Sequence, residues 1–236
     1  MVLHTATATE HCPNEVLPSA SLRRMLHNLH IPQGRPLVLL NGSTHSSLGS
    51  LYAQVTPLLQ DGLASWLVRR GAVAITGGTD AGIFAVLGQG FARYGQPAAC
   101  LGVTVAQLVQ PQPDGVALEP NHTHMLLSAG NHWGAETPLM YALAAAYDPC
   151  ARAVTLVVGG GLNTLHELEF CAALGRRMLI IAGSGGIADA LLATLGGQRH
   201  GDERLQRLAQ VAEIYRINLD APPEVLLVLL DALLLR

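Results

Sequence analysis

An apolar strand pattern that ends in a glycine-rich turn and opens a helix constrains this chain more than any other feature. It runs Val73-Ala74-Ile75-Thr76-Gly77-Gly78-Thr79-Asp80-Ala81-Gly82, and a helical pattern continues to Tyr94. Turns of similar build stand at Gly159-Gly160-Gly161-Leu162-Asn163-Thr164 and at Gly183-Ser184-Gly185-Gly186. Such a turn aims unpaired backbone N–H groups and the positive end of a helix dipole at one point, which suits a phosphate or a carboxylate.

The rest of the chain keeps the alternation. Apolar runs predict strands over 37–40, 72–76, 98–103, 123–127, 154–158, 178–182 and 213–219. Between them, helical spacing predicts a short helix from Ser21, then helices over 57–70, 81–94, 138–147, 164–174, 187–195 and 223–235. Thr56 is expected to cap the 57–70 helix, with Pro57 at its first position and Gly71 at its end. The proline-rich stretch 106–121 and the polar stretch 196–206 read as loops. Continuous apolar strands alternating with helices imply an α/β fold, a Rossmann-like, doubly wound, mostly parallel sheet with helices on both faces. Ligands bind such sheets beyond the carboxyl ends of the strands, where all three turns fall. Residues 1–34 read as an N-terminal arm with a short helix, and 35–236 as a single domain.

Composition narrows the function. Half of the 236 residues are apolar and only 13% are charged, which excludes a disordered chain. The net charge of −3 and the absence of a basic run argue against nucleic acid as a partner. There is no lysine. That rules out a Walker-type phosphate lysine, a Schiff-base lysine and a lysine general base. Cys12, Cys100, Cys150 and Cys171 are scattered and read as reduced thiols in a cytoplasmic protein. The N-terminus has no signal-peptide pattern, and the apolar tail 225–235 is too short to span a bilayer. The tail reads as the contact of a homo-oligomer.

Several stretches resemble the first N-terminal homology region of melastatin-type TRP channels. They are Ile75 to Gly82, Asn121-His122-Thr123-His124-Met125-Leu126-Leu127, Gly134-Ala135-Glu136-Thr137-Pro138-Leu139, Gly159 to Glu167 and Ala182 to Asp189. Their order and spacing hold over residues 35–195, and a free-standing chain of this kind resembles a prokaryotic member of the SLOG superfamily. The resemblance implies a Rossmann-like domain for nucleotide-derived ligands, ADP-ribose-like molecules among them. The superfamily also holds the Lonely Guy phosphoribohydrolases, which cleave the N-glycosidic bond of nucleoside monophosphates. Their signature, Pro-Gly-Gly-x-Gly-Thr-x-x-Glu, is matched at Gly160, Gly161, Thr164 and Glu167, and is broken at Gly159 and Asn163. Their upstream arginine has no counterpart over 123–147, and Arg152 is the nearest candidate.

The expected ligand contacts are therefore Asn41, Gly42, Ser43 and Thr44 after the first strand, and Thr76, Gly77, Gly78, Thr79 and Gly82 after the second. Ser128, Gly130 and Glu136 follow the fourth. Gly159, Gly160, Gly161, Asn163 and Thr164 follow the fifth, and Gly183 and Ser184 the sixth. Glu167 is the candidate catalytic carboxylate, and Thr164 is expected to cap its helix. Gly183, Gly185 and Ala188 fit G-x-G-x-x-A, but no acid follows at dinucleotide spacing, so NAD is not inferred. No cofactor is firmly implied beyond a nucleotide-derived ligand. His122 and His124 alternate on the expected strand with no third metal ligand evident, and because the motif of the resembled family contains both, the resemblance implies a structural hydrogen-bonding role. Arg69-Arg70 and Arg176-Arg177 read as surface residues at helix C-termini. Two main functions stay open, a ligand-binding sensor module and a phosphoribohydrolase. A carrier of a bulky phosphorylated cofactor is a third.

Overall fold

In the computed structural model, which describes residues 19–44 and 49–235, seven strands form one sheet. They are β1 (Leu37–Gly42), β2 (Val73–Thr76), β3 (Ala99–Val105), β4 (His124–Ser128), β5 (Val154–Val158), β6 (Arg177–Ala182) and β7 (Ile214–Asn218). All pair in parallel, in the order β4-β3-β2-β1-β5-β6-β7. The expected Rossmann-like architecture is what the chain adopts. The expected residues 1–18, Cys12 among them, lie outside the described residues.

The helices are α1 (Ser19–Asn28), α2 (Gly49–Thr56), α3 (Ser65–Arg70), α4 (Gly82–Tyr94), α5 (Thr137–Tyr147), α6 (Leu162–Ala173), α7 (Gly186–Leu195), α8 (Glu203–Val211) and α9 (Pro223–Leu234). Successive strand side chains point to opposite faces, so each strand feeds two cores. Leu37 and Leu39 of β1 meet Leu22, Leu26, Met140, Leu165 and Leu205 on one face. Val38 and Leu40 meet Leu58, Leu87, Leu226 and Leu230 on the other. Helix α1 packs on α5, so residues 19–28 share the core of the sheet domain.

Three local expectations are corrected. Thr56 does not start a helix. It stays helical, donates its hydroxyl to the Tyr52 carbonyl at 2.6 Å, and the chain runs on through a π-helical segment, Pro57–Ala64, into α3. A proline inside a helix lacks an N–H and crowds the preceding turn, and the wider π turn accommodates it. Ser21 lies inside α1 rather than at its cap. The polar stretch over 196–206 contains the start of α8, capped by Asp202, which accepts from the amide of Arg204 at 3.0 Å. Only Leu205 and Leu208 of α8 are buried, too short an apolar signal to declare a helix.

Candidate functional site

Strand order reverses between β1 and β5, so the chain's two halves diverge there and leave a crevice at the carboxyl ends. β1 ends in Asn41-Gly42 and β5 runs into Gly159-Gly160-Gly161. The amide of Ser43 donates to the Val158 carbonyl at 3.0 Å, and Ile83 N–H donates to the Ser43 carbonyl at 3.3 Å. The 41–44 turn is thereby pinned between β5 and α4, with Gly82 against the Thr44 backbone.

The head of α6 is the most open of the three turns in its backbone hydrogen bonding. No described residue accepts from the amides of Gly160, Gly161, Leu162 or Asn163. They stand at the positive end of the α6 dipole. Gly160 has φ +93, and a Cβ there would stand 2.4 Å from Thr164 Oγ1. The threonine hydroxyl is thus tucked under the turn, and α6 carries no side-chain cap, contrary to the expected role of Thr164.

Two carboxyls and an amide line the inner wall. Burial pushes Glu167 up to about 8, with Glu136 raising it further and the Asn41 amide opposing the shift. Burial also raises Glu136, which bends back to accept from the Gly134 amide at 2.8 Å rather than capping α5. Asn41 is 0% exposed, and its side chain is the hydrogen-bonding neighbour of the Glu167 carboxyl.

The other two glycine turns hold part of their amides in internal hydrogen bonds. Gly78 N–H donates to Thr76 Oγ1 at 3.0 Å and Asp80 N–H to the Ala117 carbonyl at 2.7 Å. Thr79 bridges Leu118, and Gly77 lies under the ring of Phe84. Gly78 has φ +71 and sits so close to β3 that a Cβ would stand 2.7 Å from the Gly102 Cα. In the third turn, the Asp189 carboxylate takes the amides of Gly183 and Gly185 at 2.8 and 2.9 Å. Ser184 accepts from the Gly159 amide at 2.8 Å, so this turn buttresses the open one. Ser128 donates to the Thr104 carbonyl at 3.2 Å, and Gly130 packs against Ala135.

His122 and His124 do not act as a pair. His122 precedes β4 and is buried with Thr76 and Glu119 in a relay: Thr76 Oγ1 to Nε2 is 2.6 Å and Nδ1 to Glu119 is 2.6 Å. Because Gly78 already donates to the Thr76 oxygen, the hydroxyl proton points to Nε2, and Nδ1–H faces the carboxylate. Glu119 was not legible as a partner, since it lies in the long loop after β3.

Among the described residues, arginines are sparse at this end: Arg216, within β7, donates to Asn218 Oδ1 at 3.4 Å. Arg35, Arg70, Arg152, Arg176 and Arg177 stand at or just before strand starts, along the opposite edge. The segments that follow each strand contain no arginine, and the chain has no lysine. Arg152 lines a groove of about 350 Å³ with Arg177 and α9, far from Glu167 in the fold. Arg176 corrects the surface expectation: it is buried, pairs with Asp148 at 3.0 Å and donates to the carbonyls of Ala144 and Asp148 at the end of α5. Arg70 does lie at the surface, paired with Asp231.

The fold and the crevice define a Rossmann-like domain with a crevice at its topological switch point. The chain matches the family model described as SLOG in TRPM, prokaryote, over residues 35–227, and it belongs to that family. No curated protein matches the chain in sequence. Among solved structures it is similar to the structural-genomics target TM1055, at 18% identity and a TM-score of 0.57, over 80% of this chain and 97% of that one. It is also similar to the molybdenum cofactor binding protein of the phototrophic bacterium Rippkaea orientalis, at 16% identity and a TM-score of 0.53, over 85% of this chain and 98% of that one. At these identities the likeness speaks for the fold.

Proposed function

We propose that the protein is a cytoplasmic binding module for a nucleotide or nucleotide-sugar, ADP-ribose-like molecules included, held at the β1/β5 crevice. The observation that carries this reading is the open head of α6, a helix whose Glu167 carboxyl meets the buried Asn41 amide. Backbone amides and a helix dipole would meet the phosphate, because no arginine or lysine stands between a strand and the helix that follows it. The lack of an arginine beside Glu167 favours binding over bond cleavage. One observation favours the phosphoribohydrolase as second reading: a carboxyl pushed up to about 8 carries a proton at neutral pH, as a general acid must.

The test is calorimetric titration of AMP and ADP-ribose into the wild type and Gly160→Ala, with chromatography of the recovered ligand. A ligand bound by the wild type, recovered intact and weakened tenfold or more in the variant supports the module. Release of free base, lost in Glu167→Ala, establishes the hydrolase instead. No heat with either nucleotide sinks both readings.

We also propose that α9 joins two copies of the chain. Val225, Val228, Leu229, Ala232 and Leu235 form an outward stripe, Val228 being 67% exposed. An antiparallel crossing at Val228 sets Glu224 of one copy opposite Ala232 of the other, beside the Arg152–Arg177 groove.

A further inference from the structure

At the starting edge of the sheet, opposite the crevice, the carboxyl half of α9 and the first residues of β6 and β7 line a groove of about 350 Å³. Leu229, Ala232 and Leu233 give it an apolar wall and Tyr215 adds a ring, while Arg152 and Arg177 supply its charge. Arg177 Nη1 donates to the Leu233 carbonyl at 2.6 Å, and Nη2 donates to the Arg152 carbonyl at 2.7 Å. The first bond satisfies an orphan carbonyl in the last turn of α9, so the packing of that helix fixes the guanidinium. Other N–H donors of Arg177 remain. Among the described residues no carboxylate pairs with it. Arg152 has only Asp148, whose Oδ1 lies 4.0 Å from its Nε, and its side chain is 69% exposed. The other oxygen of Asp148 already serves buried Arg176 at 3.0 Å and the Ala153 amide at 2.7 Å. Glu213, just before β7, accepts from the Tyr215 hydroxyl at 2.5 Å. Among the described residues, Arg152, Arg176 and Arg177 therefore share one carboxylate, and it is committed to Arg176.

We propose that this groove is a second ligand site, for a small amphipathic carboxylate whose head meets Arg152 and Arg177 and whose apolar body lies along α9. Adjacent guanidiniums short of a carboxylate call for a counter-charge, and a guanidinium matches a carboxylate in fork geometry. The aliphatic wall beside them calls for a ligand that is apolar over the rest of its length, which a bare phosphate is not. A volume of about 350 Å³ lies at the small end of ligand pockets, which run from about 300 to 1,000 Å³, and suits a short chain or a single ring. Arg177 is already held by two carbonyls, so binding costs it little freedom. The site is independent of the crevice and of what binds there. Leu229 and Ala232 also belong to the outward stripe of α9, so Glu224 of a second copy is the competing occupant.

Calorimetric titration of the whole protein tests it, with octanoate, acetate and 1-octanol as probes. Octanoate is expected to bind on the order of tenfold more tightly than either control, since acetate lacks the body and octanol the charge. Arg152→Ala, a change at an exposed side chain, is expected to weaken octanoate about tenfold at an unchanged melting temperature. Ala232→Phe fills the groove without removing a charge and is expected to abolish binding. Val228→Glu, which lies outside the groove lining and blocks the α9 contact, is expected to bind octanoate as the wild type does. No octanoate binding, octanol bound as tightly as octanoate, or an affinity indifferent to Arg152→Ala overturns the site and leaves the crevice reading untouched. Binding that appears only in Val228→Glu overturns it as well, and makes Glu224 of a second copy the occupant.

Discussion

The Asp189 carboxylate reaches back across its own turn and takes the amides of Gly183 and Gly185, at 2.8 and 2.9 Å. A turn that reads in sequence as an anion site is already occupied by an anion from the first turn of α7. Asp189→Ala is expected to cost about 1–2 kcal/mol, through loss of charge-assisted bonds and of the dipole contact. Added inorganic phosphate should recover part of that loss in the variant and none in the wild type. Urea denaturation with and without phosphate checks it, and a neutral substitution would remove the argument.

Glu167 ties stability to pH. Its carboxyl is pushed up to about 8 from an ordinary 4.5, mainly by burial. The native state then holds a proton that the unfolded chain releases near 4.5, so the stabilising contribution is complete below that pH and is lost as pH rises through 8. Glu167→Gln cannot release the proton. The wild type is expected to lose on the order of 2–4 kcal/mol relative to the variant between pH 5 and pH 9. Urea midpoints of both proteins across that range measure it. Parallel profiles would show that the carboxyl is not held protonated.

The Thr76–His122–Glu119 relay is expected to serve the fold rather than chemistry, because all three residues are buried. His122→Ala leaves a hydroxyl and a carboxylate without their partner. It is expected to destabilise by about 2–4 kcal/mol with little change in nucleotide affinity. Chemical denaturation gives the first number and calorimetry the second. A selective loss of affinity at unchanged stability would place the relay in the site.

Self-association through α9 is checked by sedimentation velocity. Val228→Glu puts a charge at the centre of the outward stripe and is expected to yield a monomer with an unaltered circular dichroism spectrum. A wild type that sediments as a monomer at micromolar concentration would refute the proposed interface.

The strands were legible because each is a short apolar run with a hard boundary. Val154–Val158 falls between Asp148-Pro149 and Gly159, and its predicted and observed limits coincide. The carboxyl-edge location of the site was legible for the same reason. Which turn stays open was not. Gly78 and Gly160 look alike in sequence, but the partner that fills the first turn, Ala117 to Glu119, comes some 40 residues later through a loop without periodicity. Asp189 is closer, yet an acid in a first helical turn reads equally well as a simple dipole contact.

The segregation of arginines to the starting edge of the sheet has a consequence for how this protein would respond to its medium. Mobile side-chain charges are screened by salt over about 8–10 Å, whereas amides fixed in a turn act at contact and bring no counterions to release. A ligand met only by such amides arrives without long-range attraction and is held without dependence on ionic strength. Its affinity would stay nearly level from dilute buffer to concentrated salt, a constancy that a pocket lined by arginine would lack.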